Sequence, residues 1–191
     1  FKQLGGYMKT IVVYASKYGS TETYARWIAE ALNADLYAVK ALSSKTLSRY
    51  DCILYGGGLY AGGVKGLSTF LKKYASILPK TFILFTCGIA DPNDPANVQH
   101  IRNSLKKIFP PDLEAQTAFF HLRGRLNYRK LSVMHRAMMA MLQHMLAKKD
   151  PATLRVEDQQ LLDTYGNDVN FIDRSTIQPI LSFVQDGINA K

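Results

Sequence analysis

Short apolar runs alternate with amphipathic stretches along this chain, and that rhythm predicts the architecture. Residues 9–15, KTIVVYA, form a β-branched run that reads as a buried strand. A polar turn, SKYGST, leads into 21–33, where Tyr24, Trp27, Ile28, Ala31 and Leu32 recur at helical spacing. Residues 35–40 are a short strand candidate, and 50–58, YDCILYGGG, are a strand that runs into glycines. The spacing predicts a helix over 64–78 with Leu67, Phe70, Leu71 and Tyr74 on one face, closed by Pro79. A strand at 81–88 and a helix at 96–109 follow, the latter stopped by Pro110 and Pro111. A further strand is expected at 116–122, a short extended piece at 169–173, and a last helix at 176–189 with Asp173 or Ser175 as N-cap. Strands that alternate with helices imply a parallel sheet covered by helices on both faces.

One section breaks the alternation. Residues 123–168 lie between the fifth strand and the last helix, where a few residues would suffice. The core of this insertion, 131–146, is amphipathic: Leu131, Met134, Met138, Met141, Leu142 and Met145 fall on one helical face. Such a stripe packs onto its own domain or a dimer mate, or lies on a lipid surface.

At 191 residues the chain fits one domain with an insertion, and it can bury a core without disulfide or metal staples. Residues 1–7 read as leader residues ahead of Met8, which leaves 8–191 as a single domain. Cys52 and Cys87 sit inside apolar runs, as reduced thiols of a cytoplasmic protein do. No apolar run approaches the roughly 20 residues that span a bilayer. Charge is uneven: residues 1–150 carry a net +12 and 151–191 a net −3. No acid occurs between Glu114 and Asp150, a stretch that holds Arg123, Arg125, Arg129, Lys130, Arg136, Lys148 and Lys149. A field of one sign attracts an anionic partner. Nucleic acid is not the expected one, since no recognition motif appears and aromatics are not interleaved with the basic run.

Three loops carry the candidate chemistry. In an open parallel sheet, ligands bind beyond the carboxyl ends of the strands where strand order reverses. The first loop, Ser16-Lys17-Tyr18-Gly19-Ser20-Thr21, runs from a strand into a helix N-terminus. Unpaired amides and the positive end of the helix dipole stabilise an anion there, and the hydroxyls can donate to phosphate. The same segment also reads as a plain strand–helix turn with Ser20 as N-cap. It is neither a Walker A loop nor a GxGxxG loop. The second loop, Gly56-Gly57-Gly58-Leu59-Tyr60-Ala61-Gly62-Gly63, has five glycines in eight residues, which permits close approach to a flat ring. The third is Thr86-Cys87-Gly88-Ile89-Ala90-Asp91, with Asp91 a cap before Pro92 and Cys87 a small packing residue. The four histidines lack metal-ligand spacing, so no metal is expected, and there is no GxSxG nucleophile turn.

The first loop resembles the FMN-phosphate loop of the flavodoxin family, in which hydroxyl residues surround a glycine just after the first strand. With the other two loops at matching strand ends, the resemblance covers about residues 8–124 and 169–190. It implies a doubly wound α/β sheet of five parallel strands in the order 2-1-3-4-5, with a helical insertion between the fifth strand and the last helix. It implies FMN as cofactor, bound by Ser16, Lys17, Tyr18, Gly19, Ser20 and Thr21 at the phosphate. Gly57, Gly58, Leu59, Tyr60, Ala61 and Gly62 would flank one side of the ring, with Tyr60 stacked on it, and Thr86, Cys87 and Gly88 the other.

Electron-carrier flavodoxins are acidic and compact; this chain is basic and carries an insertion. The segment GRLNYRKLSVMHRAMMAMLQHML resembles the insertion of the menaquinone-dependent protoporphyrinogen IX dehydrogenase group of this superfamily. That resemblance implies an FMN-dependent oxidoreductase linked to a quinone or porphyrinogen, with the flavin as the reacting group. Arg123, Arg125, Arg129 and Arg136 would form the patch that meets a carboxylated substrate or a membrane. Contact with the inner face of the membrane and a homodimer are the accompanying expectations. The alternative is a flavodoxin-type carrier that passes single electrons between partner proteins.

Overall fold

The computed structural model describes residues 8–60 and 63–189. In chain order the strands are β1 (Thr10–Ala15), β2 (Asp35–Ala38), β3 (Cys52–Tyr60), β4 (Gly63–Val64), β5 (Thr81–Gly88), β6 (Ala118–Arg123), β7 (Arg125–Leu126) and β8 (Val169–Asn170). The helices are α1 (Ser20–Leu32), α2 (Ser44–Leu47), α3 (Leu67–Tyr74), α4 (Pro95–Leu105), α5 (Pro111–Gln116), α6 (Val133–Ala147), α7 (Val156–Thr164) and α8 (Gln178–Asn189).

Five strands pair in parallel in the order β2-β1-β3-β5-β6. Counting only these strands along the chain, the order is the expected 2-1-3-4-5. The chain steps outward from β1 to β2 and then returns to the far side of β1 as β3. A crevice therefore opens beyond the carboxyl ends of β1 and β3. The period-2 alternation of the strands decides which side chains meet which helices. Ile11, Val13, Ile53, Tyr55, Phe82 and Leu84 pack with α3 and α4 on one face. Val12, Leu54, Ile83, Phe85 and Cys87 pack with α1 and α8 on the other.

Several boundaries move for identifiable reasons. The helix expected at 64–78 begins at Leu67, because Gly63 and Val64 pair antiparallel with Tyr60 and Leu59 as a short continuation of β3. Pro111 opens α5 rather than only ending the preceding helix; proline suits the first helical turn because its missing N–H would be unpaired there in any case. Asp173 accepts from the Ser175 N–H at 2.8 Å and starts the 3-10 turn that leads into α8. Asp91 accepts from the Asn93 N–H, and Asp94 is the N-cap of α4.

The insertion is closed at its base. Arg125 pairs with Asn170 and Leu126 with Val169, so β7 and β8 bring its two ends together. Asp168 reinforces the closure by accepting from Asn127 Nδ2 at 2.8 Å and from the Tyr128 N–H at 3.2 Å. Above this neck, α6 and α7 pack against each other. The face that α6 turns inward is rotated from the methionine stripe. Leu146 is buried, and His135, Met138, Met139 and Leu142 line the crevice. Val133, Met134, Met141 and Met145 stay exposed. Among the described residues no helix is long and apolar enough to cross a membrane.

Candidate functional site

The exit of β1 shapes the first loop. Gly19 takes a left-handed φ of 91° and is the N-cap of α1, so no side chain caps the helix. Ser16 Oγ accepts from the Gly19 N–H at 3.0 Å and Thr23 Oγ1 donates to the Gly19 carbonyl at 2.9 Å, which fixes the bend. The first amides of α1 are thus presented to the crevice with the positive end of the dipole, as an anion requires. Ser20 and Thr21 are buried at the start of the helix.

Tyr18, Ser20 and Thr21 of the first loop, Leu59 and Tyr60 of the second, and Cys87, Gly88, Ile89 and Ala90 of the third all line one cavity of about 440 Å3. The volume lies within the roughly 300–1,000 Å3 of small-molecule sites. The insertion forms its roof: Arg125, Tyr128, His135, Met138, Met139, Leu142 and Leu161 complete the wall. Ser16, Lys17 and Gly19 build the bend beside it. Thr86 is fully buried behind it, and Ala61 and Gly62 lie outside the described residues.

Glycines of the second and third loops lie beneath neighbouring side chains of the protein. A Cβ on Gly56 would overlap the Phe85 ring, one on Gly57 would overlap Val64, one on Gly58 would meet Tyr60 and one on Gly88 would meet Leu59. These positions are small because neighbouring side chains of the protein lie across them. Gly88 lines the cavity together with Leu59 and Tyr60, whereas Gly57 and Gly58 are buried beside it.

Tyr60 does stack, and its partner is in the insertion. Its ring lies 5.5 Å from that of His135 at an interplanar angle of 15°. Tyr18 meets both edge-on, at 5.9 Å and 5.7 Å, and its hydroxyl pairs with His135 Nδ1 at 2.6 Å. The Ser132 N–H donates to the Tyr18 hydroxyl at 3.3 Å, and Lys17 Nζ reaches Ser132 Oγ at 3.5 Å. Burial pushes the Tyr60 phenol up to about 12, so it is neutral at physiological pH. For Tyr18, burial raises the pKa, but the Ser132 hydrogen bonds and the charge of Lys17 outweigh it and the net shift is downward. The imidazole of His135 is held below its usual value by desolvation and then by Lys17 and Lys65. Burial lifts the Cys87 thiol to about 12, which makes it an inert packing residue.

The four arginines of the expected patch separate. Arg123 holds its guanidinium carbon 3.6 Å from the centre of the Phe171 ring, donates to the Ile89 carbonyl at 3.1 Å and reaches Asp91 and Gln160. It ties the third loop to α7 rather than facing outward. Arg125 sits over the first loop: a Cβ on Gly19 would be 3.2 Å from its Nη2. Arg129 and Arg136 are exposed on the insertion.

Two residues at the cavity were not visible as site residues in the sequence. Asn97 is 3% exposed and lines the cavity; its Nδ2 donates to the Asp91 carbonyl, while its Oδ1 has no partner. A buried acceptor left unpaired is costly, and a ligand that carries a donor would satisfy it. His135 is separated from Tyr18 by 117 positions, and nothing local marks it. No cluster of metal-ligating side chains occurs among the described residues.

A family model described as a flavodoxin domain matches residues 11–153. A protein of Methanocaldococcus jannaschii whose own function is uncharacterised is 37% identical over 83 residues, which are 42% of this chain; the match spans about half (55%) of that relative. Among solved structures, a flavodoxin WrbA-like protein from Agrobacterium tumefaciens is similar at 22% identity and a TM-score of 0.43, over 66% of this chain and 87% of that one. A flavoprotein from Lactobacillus acidophilus, solved in complex with FMN, is similar at 17% identity and a TM-score of 0.42, over 61% and 92% of the two chains.

Proposed function

We propose, because the chain belongs to the flavodoxin domain family, that it is a flavoprotein which binds FMN at the β1/β3 switch point and acts as an oxidoreductase on a quinone- or porphyrinogen-type substrate. The observation that supports this most is the convergence of the three loop segments on one cavity that the insertion roofs. The residues present fit the cofactor. The uncapped N-terminus of α1, Ser20, Thr21 and Arg125 suit a phosphate, and Leu59, Tyr60 and the third loop offer a flat, largely apolar wall. The unpaired Asn97 Oδ1 awaits a donor. When bound, FMN supplies the hydride and single-electron chemistry that none of these side chains provides.

The chain's own residues anchor, orient and exclude water. Gly19 and Ser16 hold the bend that aims the α1 amides. Arg123 holds the third loop at the cavity by its bond to the Ile89 carbonyl. Met138, Met139, Leu142 and Leu161 cover the cavity with apolar surface, which favours an organic substrate. A single-electron carrier needs its redox group open to a partner protein, so this roof speaks for the enzyme reading.

The exposed Val133, Met134, Met141 and Met145 lie in a segment whose charges are all positive, with Arg129, Arg136, Lys148 and Lys149 exposed beside them. That pairing of apolar and basic groups suits an anionic lipid surface, where a quinone resides. The activity test is turnover by the FMN-loaded protein. A quinone reduced at the expense of a porphyrinogen or another organic donor supports the reading. Electron exchange with a reductase protein and no organic turnover refutes it in favour of the carrier.

A further inference from the structure

The insertion touches the first loop at two separate points, and each presents chemistry suited to a different part of a nucleotide-like ligand. The first is Arg125. Its backbone N–H donates to Ser20 Oγ at 3.1 Å, and its place is fixed by the pairing of β7 with β8. Its guanidinium leans over the Gly19 bend, lines the cavity beside Ser20 and Thr21, and forms no ion pair among the described residues. A planar cation with a fork of donors, set against uncapped helix amides, matches an anion with several oxygens.

The second point is His135. The third loop, from Thr86 to Asp91, contains no aromatic residue, so it cannot provide a ring opposite Tyr60. The ring that faces Tyr60 comes from α6 instead, stacked within 15° of parallel. Tyr18 and Ser132 fix the imidazole from the side: Tyr18 pairs with Nδ1, and Ser132 is the N-cap of α6, whose hydroxyl accepts from the His135 N–H. Three bonds among the described residues join this end of the helix to the first loop, Tyr18 to His135, Ser132 to Tyr18 and Lys17 to Ser132, and none is fully buried; a flat ligand that parted the two rings would exchange one stacking contact for two.

We propose that the insertion completes the cofactor site, with Arg125 as counter-ion to the phosphate and His135 as the second aromatic wall opposite Tyr60. This rests on the FMN reading above. It gives the insertion a role in holding the cofactor in addition to any role toward the substrate, and it makes Tyr18 a positioning residue for the imidazole.

The test compares FMN with riboflavin, which has the same ring and no phosphate, by flavin fluorescence titration into the full chain. Arg125→Ser is expected to weaken FMN on the order of tenfold and to leave riboflavin unchanged, since a charged hydrogen bond at a partly exposed site is lost. The difference between wild type and variant shrinks as salt is raised. His135→Ala is expected to weaken both ligands about two- to tenfold, and His135→Phe to restore them. Thermal melts of each variant report whether the fold is kept. Equal effects of Arg125→Ser on both flavins, or none on either, overturn the phosphate role. Unchanged or tighter binding by His135→Ala overturns the wall role and makes the imidazole a plug. A wild-type chain that takes up neither flavin refutes the FMN reading itself.

Discussion

A pair of glycine substitutions in β3 separates packing from ligand contact. Gly56 and Gly58 are both buried, and each lies beneath a ring of the protein. An Ala at Gly56 would bring its methyl under 3.0 Å from three carbons of Phe85, which is fully buried between β3, α1 and α8. That ring has no open space to move into. Overpacking of this kind costs about 1–3 kcal/mol. The less flexible unfolded chain returns about 0.4–1 kcal/mol of this. Three ring carbons inside 3.0 Å put the cost at the upper end, about 3 kcal/mol, so the net is about 2–2.6 kcal/mol; with about 2–4 °C of melting temperature per kcal/mol for a protein of this size, Gly56→Ala should melt roughly 4–10 °C below wild type. At Gly58 the methyl would meet Tyr60 at 2.7–3.0 Å, where the contact is the far end of a side chain that faces the cavity. Tyr60 can yield, so Gly58→Ala should keep its stability to within about 1 kcal/mol. It should nevertheless displace the ring from His135 and weaken FMN about two- to tenfold. Calorimetry and flavin titration read the two effects independently. A Gly56→Ala protein as stable as wild type would show that Phe85 does not occupy the space above Gly56. Undiminished FMN affinity in Gly58→Ala would show that Tyr60 is not the ring platform.

Other consequences concern pH and lipid. His121 pairs through Nδ1 with Thr86 Oγ1 at 2.7 Å, and its Nε2 is buried without a partner. Burial, aided by the charge of Arg102, lowers its pKa from 6.5 to about 4. The folded protein therefore binds fewer protons than the unfolded chain between these values, so stability is full above pH 6.5 and falls as the pH drops toward 4. The loss is about 2–3 kcal/mol after allowance for residual solvent, and it should be absent from denaturant melts of His121→Gln; an equal pH slope in that variant would refute the assignment. On the outer face of α6, Met134→Glu with Met141→Glu should abolish sedimentation with anionic vesicles and spare FMN binding, since both side chains point away from the cavity. Wild-type protein that ignores anionic vesicles would refute the lipid contact.

The parallel sheet was legible because continuous apolar runs such as 10–15 and 81–88 are what a strand buried on both faces demands. The bend after β1 was legible for a related reason: a polar stretch with one glycine between such a strand and an amphipathic helix marks a strand–helix turn, and Gly19 takes the left-handed φ there. In the second loop the sequence was ambiguous, because glycine content alone does not say whether a ligand or the protein's own ring lies above the backbone. Phe85 is 29 positions from Gly56 and comes to it only through the register of β3 with β5. The helix at 133–147 was legible but its rotation was not. The sequence groups Met134, Met138, Met141 and Met145, whereas the inward face follows His135, whose bonds to the first loop set the helix from outside its own periodicity. β8 falls within the extended piece expected at 169–173, while β7 and α7 were hidden by length and weak amphipathicity; Val156, the first residue of α7, is 83% exposed. The same lack of local signal explains why Arg125 read as part of a surface patch rather than as a neighbour of Gly19.

The most direct measurement is the stoichiometry of flavin carried by the protein. The chain is mixed with excess FMN, freed of unbound cofactor by gel filtration, and its visible absorption is recorded before and after denaturation. One FMN per chain, with a spectrum altered from that of free FMN and reverting on denaturation, is the predicted result. A protein that emerges colourless, with intact folding by circular dichroism, would contradict it.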